Sequence, residues 1–384
     1  MTSSSSDNYC EWFWECHAEL MNVLYFKHKG VLTVKYARAL VNSPQLYYGS
    51  TRNRYCNWQF WLYVVLKHGI NTVLDLWLFR KCTGEVSPFS ALLHTLNLTI
   101  QDLNMLFANW AMSNVGWKEY GGFAEFFKSN FDINDNRSFL QHARKTFVKK
   151  ITSSVYTPPK YLSPNRWGYN IIQLFGTAPQ STIQFRGVPQ VEIDANTWNN
   201  RRIRKHEPVN KPLPFSEWHW GVVSIDENSG MVTKSEIIIG NQSMNIALPT
   251  TAKHYLVVIA TPSTMVEISW DQKYYTIYRY PYCIKLTNAV CEGYEDVPEL
   301  SYEQHRNPNG TLGGYVVNST VSSSVHIDEN CIVKNSTITD SVQILGRCDI
   351  ENCTVRENVI IQDFVSLTGC QVMGRCTIKD RAYL

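Results

Sequence analysis

Apolar residues recur at helical spacing through the first third of the chain. Glu11 to Phe26, Asn57 to His68, Asn71 to Phe79, Pro88 to Leu96 and Thr99 to Asn114 each place them at i, i+3 and i+4. Thr99 precedes Ile-Gln-Asp and reads as a helix cap, while Gly69, Gly84 and Gly116 sit near breaks. Residues 1–151 therefore predict a helical block. From 160 to 300 the pattern shortens to β-rich runs separated by turn residues. Tyr169-Asn-Ile-Ile-Gln-Leu, Thr182-Ile-Gln-Phe-Arg, Trp220-Gly-Val-Val-Ser-Ile and His254-Tyr-Leu-Val-Val-Ile-Ala are examples, with Met265 to Trp270 and Tyr274 to Tyr280 in the same set. This density predicts an antiparallel β-sandwich. Thr152 to Pro164, with Pro158, Pro159 and Pro164, reads as the linker between the two.

Residues 312–384 repeat. Asn318-Ser-Thr-Val, Asn335-Ser-Thr-Ile and Asn352-Cys-Thr-Val recur every 17 residues, followed by Gly369-Cys-Gln-Val. Val321, Ile327 and Val333 open an apolar series spaced 6, 6 and 5 that returns in each coil to Leu384. Two positions before each member lies a small or modest side chain, such as Ser319, Val325 and Cys331. Three faces with two inward residues each describe a left-handed β-helix of the hexapeptide kind, one residue shorter per turn. Asn318, Asn335, Asn352 and Gly369 would stack at one corner, where the left-handed backbone region is useful. Cys331 over Cys348 and Cys353 over Cys370 fall in the small inward column, where buried free thiols fit best. The fold class is thus a multidomain α + β chain.

Composition narrows the function. Of 384 residues, 44% are hydrophobic and 18% charged, which excludes a disordered chain. Thirty-six basic against 33 acidic residues leave no excess for nucleic acid. No apolar run approaches the roughly 18 residues of a membrane span. The polar start Met-Thr-Ser-Ser-Ser-Ser-Asp-Asn carries no secretory signal, and eleven cysteines form neither a disulfide framework nor a zinc set. Sequons at Asn97, Asn136, Asn241, Asn309, Asn318, Asn335 and Asn352 matter only in a secreted protein.

The segment that invites chemistry is Trp12-Phe-Trp-Glu-Cys-His-Ala-Glu-Leu-Met-Asn. A helix apolar nearly all round should be buried, and its Glu15 and Glu19 then need partners: basic side chains or a metal. Trp14-Glu15-Cys16-His17-Ala18-Glu19 resembles the W-E-x-H-A segment of the Svx/AvrXca-type secreted virulence proteins. It is also similar to the gluzincin metallopeptidase helix that supplies a glutamate zinc ligand. The resemblance continues through Tyr47 to Trp61, Phe107 to Met112, Tyr169 to Ile172, Tyr280-Pro-Tyr and Asn307-Pro-Asn-Gly. It implies a secreted chain with a zincin-like helical subdomain, residues 1–151, and Glu15 as third metal ligand. Such a site also needs H-E-x-x-H, which is absent from this sequence. Zinc is expected only if an upstream helix is present, no cofactor in the chain as given, and the enzyme is expected to be inactive.

Other constellations carry less. His326 projects from a β-helix face, as a histidine does in hexapeptide acyltransferases, and Thr320, Thr337 and Thr354 form an outward ladder. Trp218 and Trp220 could make a sugar-binding platform, and Asn199 to His206 is a basic run between strands. Nucleophile elbows, P-loops and dinucleotide fingerprints are absent. Three readings follow: a zincin-derived extracellular protein whose β domains bind a glycan or protein surface, a noncatalytic scaffold, and a β-helix acyltransferase. The last coil, ending on inward Leu384, suggests oligomerisation through an uncapped end.

Overall fold

The computed structural model describes residues 11–28, 38–41, 43–49, 55–83, 87–131, 144–150, 153–158, 162–187, 216–265, 277, 279–291, 303–328, 331–346, 348–363 and 365–379. The chain divides into two compact units, Met1–Asp296 and Val297–Leu384.

The first unit opens with α1 (Glu11–His28), α2 (Arg38–Val41), α3 (Trp58–His68), α4 (Asn71–Thr83), α5 (Pro88–Thr95), α6 (Ile100–Gly116) and α7 (Ala124–Phe131). Thr99 caps α6 through a full capping box: its hydroxyl accepts the Asp102 amide while Asp102 accepts that of Thr99. Trp117 ends the helix in the left-handed region at φ 57°. Aromatic rings fill the space between the helices. Phe107 stacks on Phe60 at 4.1 Å and on Trp167 at 4.9 Å.

Eleven strands follow among the described residues: β1 (Lys149–Lys150), β2 (Val155–Thr157), β3 (Tyr169–Gly176), β4 (Ser181–Gly187), β5 (His219–Asp226), β6 (Val232–Lys234), β7 (Ile238–Ile239), β8 (Ser243–Ile246), β9 (Ala252–Ile259), β10 (Tyr282–Thr287) and β11 (Ala289–Cys291). They form two antiparallel sheets, ordered β1-β2-β10-β4-β8 and β11-β3-β9-β5-β6, with β7 also on β5. The second sheet is covered on both faces. Ile172, Leu174, Trp220, Val222, Leu256 and Val258 pack with Ile183, Phe185, Ile284 and Leu286 of the first sheet. Tyr169, Ile171, Val223, Tyr255, Val257 and Ile259 belong to the helical core instead. A strand buried on both sides needs apolar residues at successive positions, which explains the unbroken run in β9. Helices, central sheet and outer sheet are three layers of one unit.

The expected linker is therefore corrected at its C-terminal end. Leu162, Ser163, Pro164, Asn165 and Arg166 are buried. Their backbone is consumed by contacts: Asn170 donates to the Leu162 carbonyl at 2.9 Å, Arg279 to Ser163 at 2.9 Å, and the Tyr280 amide to Pro164 at 2.8 Å. Of the expected strands, residues 266–276 lie outside the described residues, as does the basic run 199–206.

In the second unit β12 (Glu303–Arg306) pairs antiparallel with β13 (Leu312–Val317). Then come β14 (Thr320–Val321), β15 (His326–Ile327), β16 (Ile332–Lys334), β17 (Thr337–Ile338), β18 (Gln343–Gly346), β19 (Asp349–Glu351), β20 (Thr354–Val355), β21 (Ile360–Asp363), β22 (Ser366–Thr368), β23 (Gln371–Val372) and β24 (Thr377–Ile378). They make three parallel sheets, β13-β16-β19-β22, β14-β17-β20-β23 and β15-β18-β21-β24, in a strict 17-residue register such as Thr320↔Thr337↔Thr354↔Gln371. The inward series is the one read from the sequence, from Val325 and Ile327 through Val365 and Leu367. Asn318, Asn335, Asn352 and Gly369 all have positive φ, from 46° to 67°. A second left-handed column, Asp340, Glu357 and Gly374, stacks at another corner.

Beside the asparagine corner the small inward side chains relay hydrogen bonds between rungs. Ser336 Oγ donates to its own coil at Lys334 O, 2.6 Å, and accepts the Cys353 amide at 3.0 Å. Cys353 Sγ repeats this with Glu351 O and the Cys370 amide. A sulfur thus replaces an oxygen without breaking the relay, and Cys348, Cys353, Cys370 and Cys376 are free thiols.

Candidate functional site

Helix α1 buries Trp12, Phe13, Cys16, Leu20 and Val23 on the aromatic core. Trp14 at 48% exposure, Met21 at 44% and Tyr25 at 57% face outward together with Ala18, at i, i+4, i+7 and i+11. The expectation of a helix buried all round is corrected: its two apolar stripes have different fates. Glu15 lies on the flank between them, half-buried rather than sealed. His17 is taken by packing. It stacks on Trp77 and accepts that indole N–H through Nδ1, and burial lowers its pKa. Among the described residues no group of three or more His, Cys, Asp or Glu side chains could hold a metal ion. Glu15 therefore has no ligand set there to join, and its fit to zinc rests on the resemblance alone.

Trp218 and Trp220 are the second correction. Both are fully buried in the sandwich core against Phe185, and Trp218 also meets Tyr280 and Tyr282. The Trp220 indole donates to Gly240 O at 3.0 Å. Neither ring offers a face to a sugar: Trp218, just before β5 with a left-handed backbone at φ 58°, and Trp220 on the strand both pack into the sandwich core.

On the β-helix, His326 is half-exposed and its Nε2 lies 3.1 Å from Asp328 Oδ1. The two residues share a face because they are two apart on β15 and its exit. A carboxylate on Nε2 fixes that nitrogen as the protonated one and leaves Nδ1 as the basic one.

Two constellations escaped the sequence reading because their members are far apart in the chain. Glu119 gathers Lys67 at 2.9 Å, Lys234, and the Tyr63 hydroxyl at 3.1 Å, and Lys234 also donates to Ser113 Oγ at 2.8 Å. Burial alone would raise the Glu119 carboxyl, but hydrogen bonds from Lys234 and Lys67 outweigh it and hold it at about 2. Burial lowers the Lys234 ammonium more than Glu119 raises it, and the nearby charges of Lys67 and Lys118 push in the same direction as burial. Ser113 is buried, so this centre ties α3 and α6 to β6 rather than offering a nucleophile.

The other constellation is a half-exposed serine on a buried histidine. Ser224 Oγ lies 2.7 Å from His254 Nδ1, and His254 Nε2 lies 2.9 Å from Pro249 O. A carbonyl only accepts, so Nε2 carries the proton, Nδ1 carries the lone pair, and the serine donates. Sequence alternation placed both residues on strands, but only the cross-strand register Ser224↔His254 brings them together.

Comparison with known proteins gives two matches to family models. Residues 2–293 match a family described as a family of unknown function (DUF6055). Residues 310–378 match the GlmU-like, C-terminal hexapeptide model. No curated protein matches the chain.

Proposed function

This chain belongs to DUF6055, a family of unknown function, and from its own side chains we propose that it is a zincin-derived binding protein. In this reading it is incomplete as a peptidase and uses α1 as a contact surface for a protein partner. The observation that carries it is the outward stripe Trp14, Met21 and Tyr25 beside a half-buried Glu15. Aromatic and Met side chains are the types enriched at protein interfaces. A glycan partner loses its support with the burial of Trp218 and Trp220. The extracellular placement rests on the resemblance alone.

Peptide selection against the full chain tests the surface. Peptides enriched from a random display library should bind the native chain at least about tenfold more tightly than a Trp14→Ser/Tyr25→Ser double variant, roughly the effect of one interface anchor. Equal binding to both would overturn the α1 assignment.

A second reading is favoured by one observation. The His326–Asp328 pair supplies an oriented, half-exposed imidazole on a hexapeptide β-helix, the arrangement of a general base for acyl transfer to an alcohol or amine. Acetyl-CoA turnover lost in His326→Ala and in Asp328→Asn would move the function to the β-helix.

A further inference from the structure

Ser224 and His254 sit opposite each other on β5 and β9, at the end of the sandwich where β5 leaves the core. Three features of a reactive serine coincide there. Ser224 is half-exposed at the end of β5, where the strand leaves the core. Its hydroxyl proton points at an imidazole lone pair at 2.7 Å. The imidazole is buried and its tautomer is fixed by Pro249 O at 2.9 Å, which also faces the positive charge that proton uptake would create. Nucleophile, base and orienting acceptor are the parts of an acyl-transfer site.

We propose that Ser224 is a nucleophile, activated by His254, that accepts acyl groups from small uncharged carboxylic esters. In the first step Ser224 Oγ bonds to the ester carbonyl carbon and its proton passes to His254 Nδ1. Collapse breaks the bond to the alcohol oxygen, which takes that proton and leaves as the free alcohol. Water then repeats the sequence at the acyl-serine: its proton goes to His254, its oxygen to the carbonyl carbon, and Ser224 recovers its hydrogen as the acid departs. No other reactant is consumed. The class of ester follows from the surroundings. Asp226 ends the strand two residues on, on the same face as Ser224, and its carboxylate disfavours an anionic acyl group, whereas Glu227 in the following turn is paired with Lys253 at 3.3 Å. Thr233 lies directly opposite Ser224 on β6, exposed and on the same face, where its hydroxyl can support the oxyanion. A carbonyl orients the imidazole less strongly than a carboxylate would, so turnover should be slow and covalent capture the sensitive readout.

The test is labelling of the full chain with a fluorophosphonate, with the adduct located by peptide mass spectrometry and p-nitrophenyl acetate hydrolysis followed in parallel. One adduct per chain on Ser224 is expected, formed about 100-fold faster than on any other serine, in line with base activation. It should vanish in Ser224→Ala, a half-exposed position whose change should leave the fold intact by circular dichroism, and slow at least tenfold in His254→Gln. Thr233→Val should slow hydrolysis while leaving the chain folded. Absence of a Ser224 adduct on the native chain, or an unchanged rate in a folded His254→Gln, would overturn the proposal. Because native-chain mapping stands by itself, failure of the histidine variant to fold does not rescue it. Loss of the α1 surface leaves these outcomes unaffected.

Discussion

The carboxamide of Asn307 brackets Ile327, accepting its amide N–H at 2.8 Å and donating to its carbonyl at 3.1 Å. Ile327 lies in the first coil, and among the described residues β15 pairs on one side only, with β18. Asn307 serves the other side in miniature, and His305 Nε2 does the same for Val325 O at 2.8 Å. An open sheet edge is thereby closed by side chains. Gly313 is required there: a Cβ would come within 2.3 Å of Ile327 O. Asn307→Ala should cost about 1–3 kcal/mol, the range for stranding a buried polar group, and speed hydrogen exchange at Ile327. Asn307→Asp keeps the acceptor and should preserve protection of the Ile327 amide better than alanine does.

Glu15→Gln tests how deeply α1 is buried. A sealed, unpaired carboxylate would make this substitution stabilising, and a sealed ion pair would make it costly. With Glu15 on the half-buried flank, the change in stability should stay within about 0.5 kcal/mol by thermal unfolding at neutral pH.

The sandwich tryptophans should behave as core. Trp218→Ala removes a fully buried indole and should cost about 3–5 kcal/mol in chemical denaturation. Gly187→Ala should also destabilise, since a Cβ there would lie 2.1 Å from Trp218 Nε1.

Acid should act in two windows. Burial lowers His219 from 6.5 to about 4, so the unfolded chain binds more protons between those values. Stability contributed by neutral His219 is present above the unfolded value and falls as pH drops toward 4, by about 3 kcal/mol in total. Glu119 is depressed from 4.5 to about 2, so its contribution is present above 4.5 and is lost below it, as pH falls toward 2. Melting temperature against pH should therefore lose its upper step in His219→Gln and its lower step in Glu119→Gln.

What could be read from the sequence depended on the range of the interactions. The β-helix was legible to the residue because each coil repeats the same local demands, down to the left-handed Asn318, Asn335 and Asn352. The helices were legible in place but not in orientation: Trp12 and Trp14 are both apolar, and only packing decides that one is buried and the other exposed. The shared core of helices and sandwich was hidden because secondary structure changes near residue 150 while packing does not. Tyr169 and Trp110, 5.5 Å apart across that change, belong to one cluster. The asparagine corner announced itself by repetition, whereas Asp340, Glu357 and Gly374 share a backbone conformation without a common residue. Ser224–His254 and Glu119–Lys234 depend on register and tertiary contact, which no local pattern encodes.

Zinc content of the purified full chain, beside its Glu15→Gln variant after dialysis against equimolar zinc, tests the central reading most directly. A zincin-derived binding protein incomplete as a peptidase predicts well below one zinc per chain, about the same in both proteins. One tightly held zinc per native chain, lost on Glu15→Gln, would contradict it and restore Glu15 as a metal ligand.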